Sequence, residues 1–476
     1  EIMDNLKKIF YLEKSYLLIL IFSLIIRSMN IYSLLPSTLD SILFSFLAFL
    51  GFFVVLYELY NFLIEKNKDW TDWLILIFLL AFLISIILNR NYGMSSNLKL
   101  LVWNSIYVIG IYQFVKRQKN SFLIIDYINY IVMVGMFLLS IISLVMYLFQ
   151  YSYVYVYGPG PRDHIRIGFL ESRLFGVFGD PNYGATTALV TIILCLYYLF
   201  KYLNTKKIFI KIFLVVNIVV QFFTLLLTGS RSALLLSYLA VGFLAFSIIF
   251  YKQGVKKTPV LKKILYSCMF TLLVLFGYLI VQNGTKDVLV TVPNKIYSAV
   301  YKKEEVNGEI TGKRKEPISL DRKDVVDNSD ISNMRFSIWK SSVEIFKTSP
   351  IYGTSPRNLL SYAHDKLPNT FISQKSIVVH NTFLNILTSV GLLGFIPFMI
   401  FLIFNGIKII FCYYFYQREL NLQFLTLLTI QIILVFSGLF NNEIILVNTV
   451  GSFLFWSYLG ALNGYLKEIS IKRSQK

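Results

Sequence analysis

The sequence predicts an all-α integral membrane protein with about twelve transmembrane helices and one large external loop. The first observation behind this is composition. Of 476 residues 56% are apolar and only 15% charged, against about 25% charged in an average soluble domain. The second is spacing: apolar runs long enough to cross a hydrocarbon core of about 30 Å recur along the chain. The third is a lopsided distribution of Lys and Arg between alternate connections. The same numbers exclude a disordered chain, and three cysteines cannot build a disulfide scaffold. Cys195, Cys268 and Cys412 lie in or at the end of apolar runs and read as small hydrophobes.

Taken in order, the apolar runs fall near 15–35, 41–64, 70–88, 98–115, 127–149, 182–200, 208–228, 232–251, 264–282, 381–411, 422–440 and 444–466. No small-residue cleavage pattern follows the first, which reads as a retained helix and not a signal peptide. The tenth carries Gly391, Gly394 and Pro397 and is expected to kink or tilt. The implied organisation is 1–283 with helices 1–9, an external loop over 284–379, and 380–476 with helices 10–12. Within the loop, 302–330 holds seven basic and eight acidic residues and reads as a solvated stretch. An amphipathic helix is expected over 331–347, with Phe336, Trp339, Val343 and Phe346 at helical spacing. His364 reads as an exposed loop histidine.

Charge sets the orientation. With a cytoplasmic N-terminus the inner segments hold 23 basic residues, and the short outer segments hold 7 (Arg27, Arg90, Lys99, Arg162, Arg166, Arg173 and Arg231). Inside, 20 of 23 are Lys, and these face lipid headgroups, so no nucleic-acid partner is expected; outside, 6 of 7 are Arg. Arg captures phosphate through a planar fork and tolerates partial burial better than Lys. The outer face is therefore expected to bind anions.

In this orientation the even-numbered helices present their N-termini, the positive dipole ends, to the outside. Helix 6 starts at Gly179-Asp180-Pro181-Asn182, helix 8 at Thr228-Gly229-Ser230-Arg231, and helix 10 at His380-Asn381-Thr382. Free N–H groups plus arginine make such starts candidate anion sites. Equally, Asp180, Ser230 and Asn381 can be ordinary caps, with Pro181 at the first helical position.

Arg173-Leu-Phe-Gly176-Val-Phe-Gly-Asp-Pro181-Asn182 and Thr228-Gly229-Ser-Arg231 resemble the first signature regions of the O-antigen ligase and polysaccharide repeat-unit polymerase superfamily. Arg335-Phe-Ser-Ile-Trp339 with Pro350-Ile-Tyr-Gly353 resembles its outer-loop signature. His380-Asn381-Thr-Phe-Leu384 with Gly391-Leu-Leu-Gly394 is similar to its best-known stretch. One departure is Gly353-Thr-Ser355, where the family often has Gly-x-Gly.

The resemblance covers about 170–400 and implies a GT-C-like membrane glycosyltransferase. Such an enzyme sits in the bacterial plasma (inner) membrane with its site facing the periplasm or cell exterior. It takes a glycan carried on undecaprenyl diphosphate and transfers it to a hydroxyl of an acceptor glycan, building a surface polysaccharide such as O-antigen or capsule. It implies His380 as general base and Arg231 and Arg173 as the diphosphate clamp, with Arg166, Asn182, Arg335, Arg357 and Asn381 binding substrate. It also implies no cofactor and no metal, in keeping with a chain that has no Asp-x-Asp. A polymerase would add a chain-length regulator as partner. The rivals are a ligase that moves finished polymer onto an acceptor such as lipid A core, and a twelve-helix lipid-linked oligosaccharide flippase. Against the flippase, no internal repeat is visible, and buried polar residues such as Glu58, Asn217 and Gln221 do not line up into a relay.

Overall fold

The computed structural model describes residues 2–65, 68–159, 163–304, 317–320, 334–416 and 420–474. Its helices are α1 (Ile2–Arg27), α2 (Ser37–Ile64), α3 (Trp70–Leu88), α4 (Met94–Arg117), α5 (Ser121–Leu148), α6 (Pro181–Lys201), α7 (Ile208–Leu227), α8 (Arg231–Val255) and α9 (Val260–Glu304). After these come α10 (Arg335–Thr348), α11 (Leu359–Lys366), α12 (Phe371–Lys375), α13 (Thr382–Phe411), α14 (Leu422–Ser437) and α15 (Val450–Ser474). The all-α membrane class holds. Among the described residues nine helices are long and apolar enough to cross a membrane, α2 to α9 and α13. The other three expected spans are helices too, and two of them fall short. α14 has 16 residues, about 24 Å at 1.5 Å per residue. α15 starts at Val450 and not at 444, because Ile444, Ile445 and Leu446 form a buried irregular segment. Irregular backbone at such a place is tolerated only where protein covers it.

The sequence reading missed a sheet between α5 and α6. Strands β1 (Ser152–Val156), β2 (His164–Leu170) and β3 (Arg173–Gly176) pair antiparallel in that order. β2 and β3 join through Glu171 and Ser172, both at positive φ (52° and 58°), as a two-residue hairpin turn of the I′ type requires. A second difference is the length of α9, which runs to Glu304 and so fills with helix the first part of the expected external loop. The charged stretch 302–330 falls largely outside the described residues, as do Arg162 and the first residues of the expected 331–347 helix.

The chain forms two compact units. One comprises residues 1–26, 35–132 and 332–476. Its interior is aromatic: Trp456 is fully buried, with its ring 6.0 Å from Tyr112 and 5.9 Å from Phe401. α13 is broken at Gly391 (φ 67°, ψ −170°), the kink expected from its glycines. The loop 350–355 plugs the break. Pro350 and Ile351 carbonyls accept from Leu392 and Leu393, and the Thr354 and Ser355 amides donate to Thr388 and Ser389. The backbone groups freed by the break are thereby satisfied within the protein. At the other end of α3, Asp69 takes Lys408 at 2.8 Å and Lys116 at 3.8 Å, while Asp72 takes Lys116 at 2.7 Å. Glu58, one of the buried polar residues of the sequence reading, is paired with Arg117.

The other unit comprises residues 27–34 and 133–331. Asn217 and Gln221, four apart on α7, do connect. Asn217 donates to the Met133 carbonyl at 3.1 Å, Gln221 to Asn217 at 2.9 Å, and Ser140 of α5 to Gln221 at 2.9 Å. Each is satisfied by a neighbour, the pattern of polar residues that fasten helices together in a membrane. Ile318, from within the stretch 302–330, packs beside Tyr147, Leu226 and Leu289, and both its backbone groups bond to Asn294.

Candidate active site

The sheet unit contains a cavity of about 1060 Å³. Arg166 and Arg173 enter it from neighbouring strands, and Asp180 and Asn182 from the start of α6. Asp180 is the N-cap, accepting from the Asn182 amide at 2.7 Å, with Pro181 at the first helical position. The capping reading is thus correct, yet the capped start also forms a wall of the cavity. Arg173 is aimed by two bonds: Nε donates to the Thr228 carbonyl at 2.9 Å and a terminal nitrogen to Asn182 Oδ1 at 3.1 Å. Arg166 donates to His164 Nε2 at 3.0 Å and pairs with Glu171 at 3.0 Å. Both guanidinium groups lie over the Phe175 ring, at 5.3 and 5.7 Å, within cation–π range.

Arg231 is the first residue of α8, half-buried, behind the N-cap Ser230. It is not among the residues that line the cavity. Its link to the site runs through the chain: Thr228, three residues earlier, holds Arg173.

The helical unit carries the remaining candidates. His380 is half-buried immediately before α13. Asn381 is the N-cap, accepting from the Phe383 and Leu384 amides at 2.9 and 3.0 Å and donating to the Leu439 carbonyl at 3.1 Å. Every polar atom of its amide group is engaged in this, so its role is to set the helix start that carries His380. The turn after α14 holds that start from the other side. Thr382 donates to the Gly438 and Asn441 carbonyls at 2.7 and 3.0 Å and accepts from the Glu443 amide at 2.9 Å. Arg335, first residue of α10, stacks over Phe440 of the same turn at 5.3 Å. Arg335 and the helix start that follows His380 therefore both rest on this turn. Arg357 stands apart: its side chain is exposed, and its amide donates to Asn97 at 2.9 Å. The stripe Phe336, Trp339 and Val343 of α10 is exposed or half-buried, while Ile338, Ser341, Ser342 and Ile345 form its buried face. His364 lies on α11 and not in a loop, bonded to the Ser373 carbonyl at 2.9 Å.

Sequence reasoning missed His164, Tyr155 and Tyr157, all of which line the cavity. The signals were strand periodicity, Tyr at alternate positions from 151 to 157 and His164 two residues before Arg166. Because Arg166 is the donor, His164 Nε2 is the acceptor, and the ring carries its proton on Nδ1.

Among the described residues no group of three or more His, Cys, Asp or Glu is placed to hold a metal. No curated protein matches this chain. Residues 216–399 match the family described as O-antigen ligase. The match takes in Arg231, Arg335, Arg357, His380 and Asn381, and the cavity arginines precede it. Over that stretch, less than half of its length, the chain is similar to the O-antigen ligase family.

Proposed function

We propose that this protein polymerises undecaprenyl-diphosphate-linked repeat units of a surface polysaccharide at the outer face of the bacterial plasma membrane. The observation that carries the reading is the cavity in which Arg166, Arg173 and Asn182 meet. Two forks on one aromatic ring make a site for a dianionic group, and Arg231 follows Thr228, which holds one of them. An acceptor hydroxyl oxygen attacks the anomeric carbon of the donor while the bond from that carbon to the diphosphate oxygen breaks. The bonding pair leaves with the diphosphate, whose growing charge the arginines stabilise. The hydroxyl proton goes to His380, which stands just before the Asn381-capped start of α13. Asn381 fixes the helix start that carries His380, and Arg335 and Arg357 are further cations of the helical unit available to substrate. No metal enters the scheme.

The family description favours a second reading, a ligase that transfers finished polymer to a terminal acceptor. Only the polymerase reading brings in a chain-length regulator as partner. Purified protein incubated with synthetic lipid-diphosphate repeat units separates the two, with products resolved by mass. A ladder rising by one repeat at a time supports polymerisation. A single transfer, made only when a terminal acceptor is added, shows a ligase. Donor moved across vesicles without any new glycosidic bond would overturn both.

A further inference from the structure

The proposed chemistry leaves β1 unused. This strand is the edge of the sheet, paired to β2 alone, and all five of its residues are exposed. Alternation places Tyr153, Tyr155 and Tyr157 on one face, at 49%, 41% and 60% exposure. Large rings are normally buried, and a row of them left open marks a surface that meets something. Tyr155 and Tyr157 also line the cavity that holds Arg166 and Arg173. The polar groups nearest in kind to a sugar's own chemistry, Asn30 and Asp180, line it as well. Asn30 is locked by bonds from its amide nitrogen to the Arg166 and Gly176 carbonyls at 3.0 and 2.9 Å.

A cavity of about 1060 Å³ is far larger than a diphosphate fills, and lies at the upper end of small-molecule sites of roughly 300–1,000 Å³. Guanidinium groups account for an anionic end of the ligand. Open phenol rings, together with carboxylate and amide groups, suit a body that has apolar C–H faces and many hydroxyls, which is a pyranose. A prenyl chain would need apolar walls without Asn and Asp. We propose that Tyr155 and Tyr157 form a stacking subsite for the sugar next to the diphosphate of the lipid-linked substrate. This rests on the glycosyltransferase reading above.

The test uses full-length protein in nanodiscs and two probes: undecaprenyl diphosphate alone, and the same lipid bearing its native oligosaccharide, extracted from source membranes. Wild type should bind the glycan-bearing probe more tightly. A Tyr155→Ala/Tyr157→Ala double variant should lose that advantage, weakening about tenfold, the equivalent of ~1.4 kcal/mol, with no change toward the bare lipid. A Tyr155→Trp/Tyr157→Trp variant keeps the rings and should keep the advantage. Arg173→Lys should weaken both probes. Unchanged glycan affinity in the double-alanine variant overturns the subsite. Equal weakening toward both probes does so too, since that is the mark of an aromatic belt at the lipid headgroups. If wild type binds neither probe, the glycosyltransferase reading itself fails.

Discussion

Arg173 owes its usefulness to shape as much as to charge. Its Nε and a terminal nitrogen reach Thr228, at the end of α7, and Asn182, at the start of α6, in the fixed directions of a planar fork that an ammonium does not offer. Arg173→Lys should therefore lower transfer by roughly 10²-fold or more, the scale of losing one oriented donor to a developing oxyanion, while the protein still folds. Transfer near the wild-type rate in both Arg173→Lys and Arg231→Lys would remove the clamp. For His380 the expected signature is a rate that rises with pH through the histidine range and then levels, because only the neutral ring accepts a proton. His380→Ala should reduce transfer by about 10²–10⁴-fold with donor affinity and thermal stability kept; near-normal transfer would sink the base assignment. A third residue-scale case is Ser355, buried at φ 65° where the family often has glycine. It accepts from Asn97 at 3.2 Å and its amide takes Ser85 Oγ at 3.2 Å. Left-handed backbone costs a side-chain residue about 1–2 kcal/mol. Ser355→Ala keeps that cost and loses a bond, whereas Ser355→Gly relieves it. Ser355→Gly should melt higher than Ser355→Ala, and the reverse order would show that strain is not what this position carries.

At the scale of elements, the broken α13 and the charged start of α3 are fixed by different forces. Gly391 combines φ 67° with a close approach: a Cβ there would meet the Ile351 carbonyl oxygen at 2.3 Å. The kink was legible because glycine and proline stand inside an apolar run. Its partner was not, since the loop that fills it lies about forty residues earlier and bonds through backbone groups that any sequence has. Asp69 shows the electrostatic case. Burial would raise its carboxyl, but the Lys408 hydrogen bond and the Lys116 charge outweigh this and hold it down to about 2. A folded value below the unfolded one, near 3.8, adds stability that is complete above the unfolded value and fades as pH falls through the folded one. The difference corresponds to about 2 kcal/mol. Asp69→Asn should cost about that much at neutral pH, read from detergent-solubilised melting, and the gap from wild type should close between about pH 4 and pH 2. A gap independent of pH would mean that the carboxylate's charge is not what joins α3 to Lys408.

For the molecule as a whole, helices were legible and the site only in part, for one physical reason. Membrane spans are written in composition over about twenty residues, while a site is written in a few side chains brought together by turns. Arg173 and Arg166 stood out because arginine at an expected outer boundary is out of place on topological grounds, and both line one cavity. His164 and the tyrosines of β1 did not, because a short edge strand resembles an aromatic membrane boundary in sequence. The surplus of arginine in the segments expected outside leads to the last prediction. A departing diphosphate must be neutralised, by a divalent ion on carboxylates or by fixed cations. The chain has no Asp-x-Asp to offer the first, and Arg166 and Arg173 share one cavity to offer the second. Transfer by the purified protein should therefore run at its full rate in excess EDTA. It should instead fall as ionic strength rises, because a partly exposed guanidinium–diphosphate contact is screened over about 10 Å at 0.1 M salt. Activity abolished by the chelator and restored by magnesium or manganese would show that the arginines position the donor and a metal carries the charge.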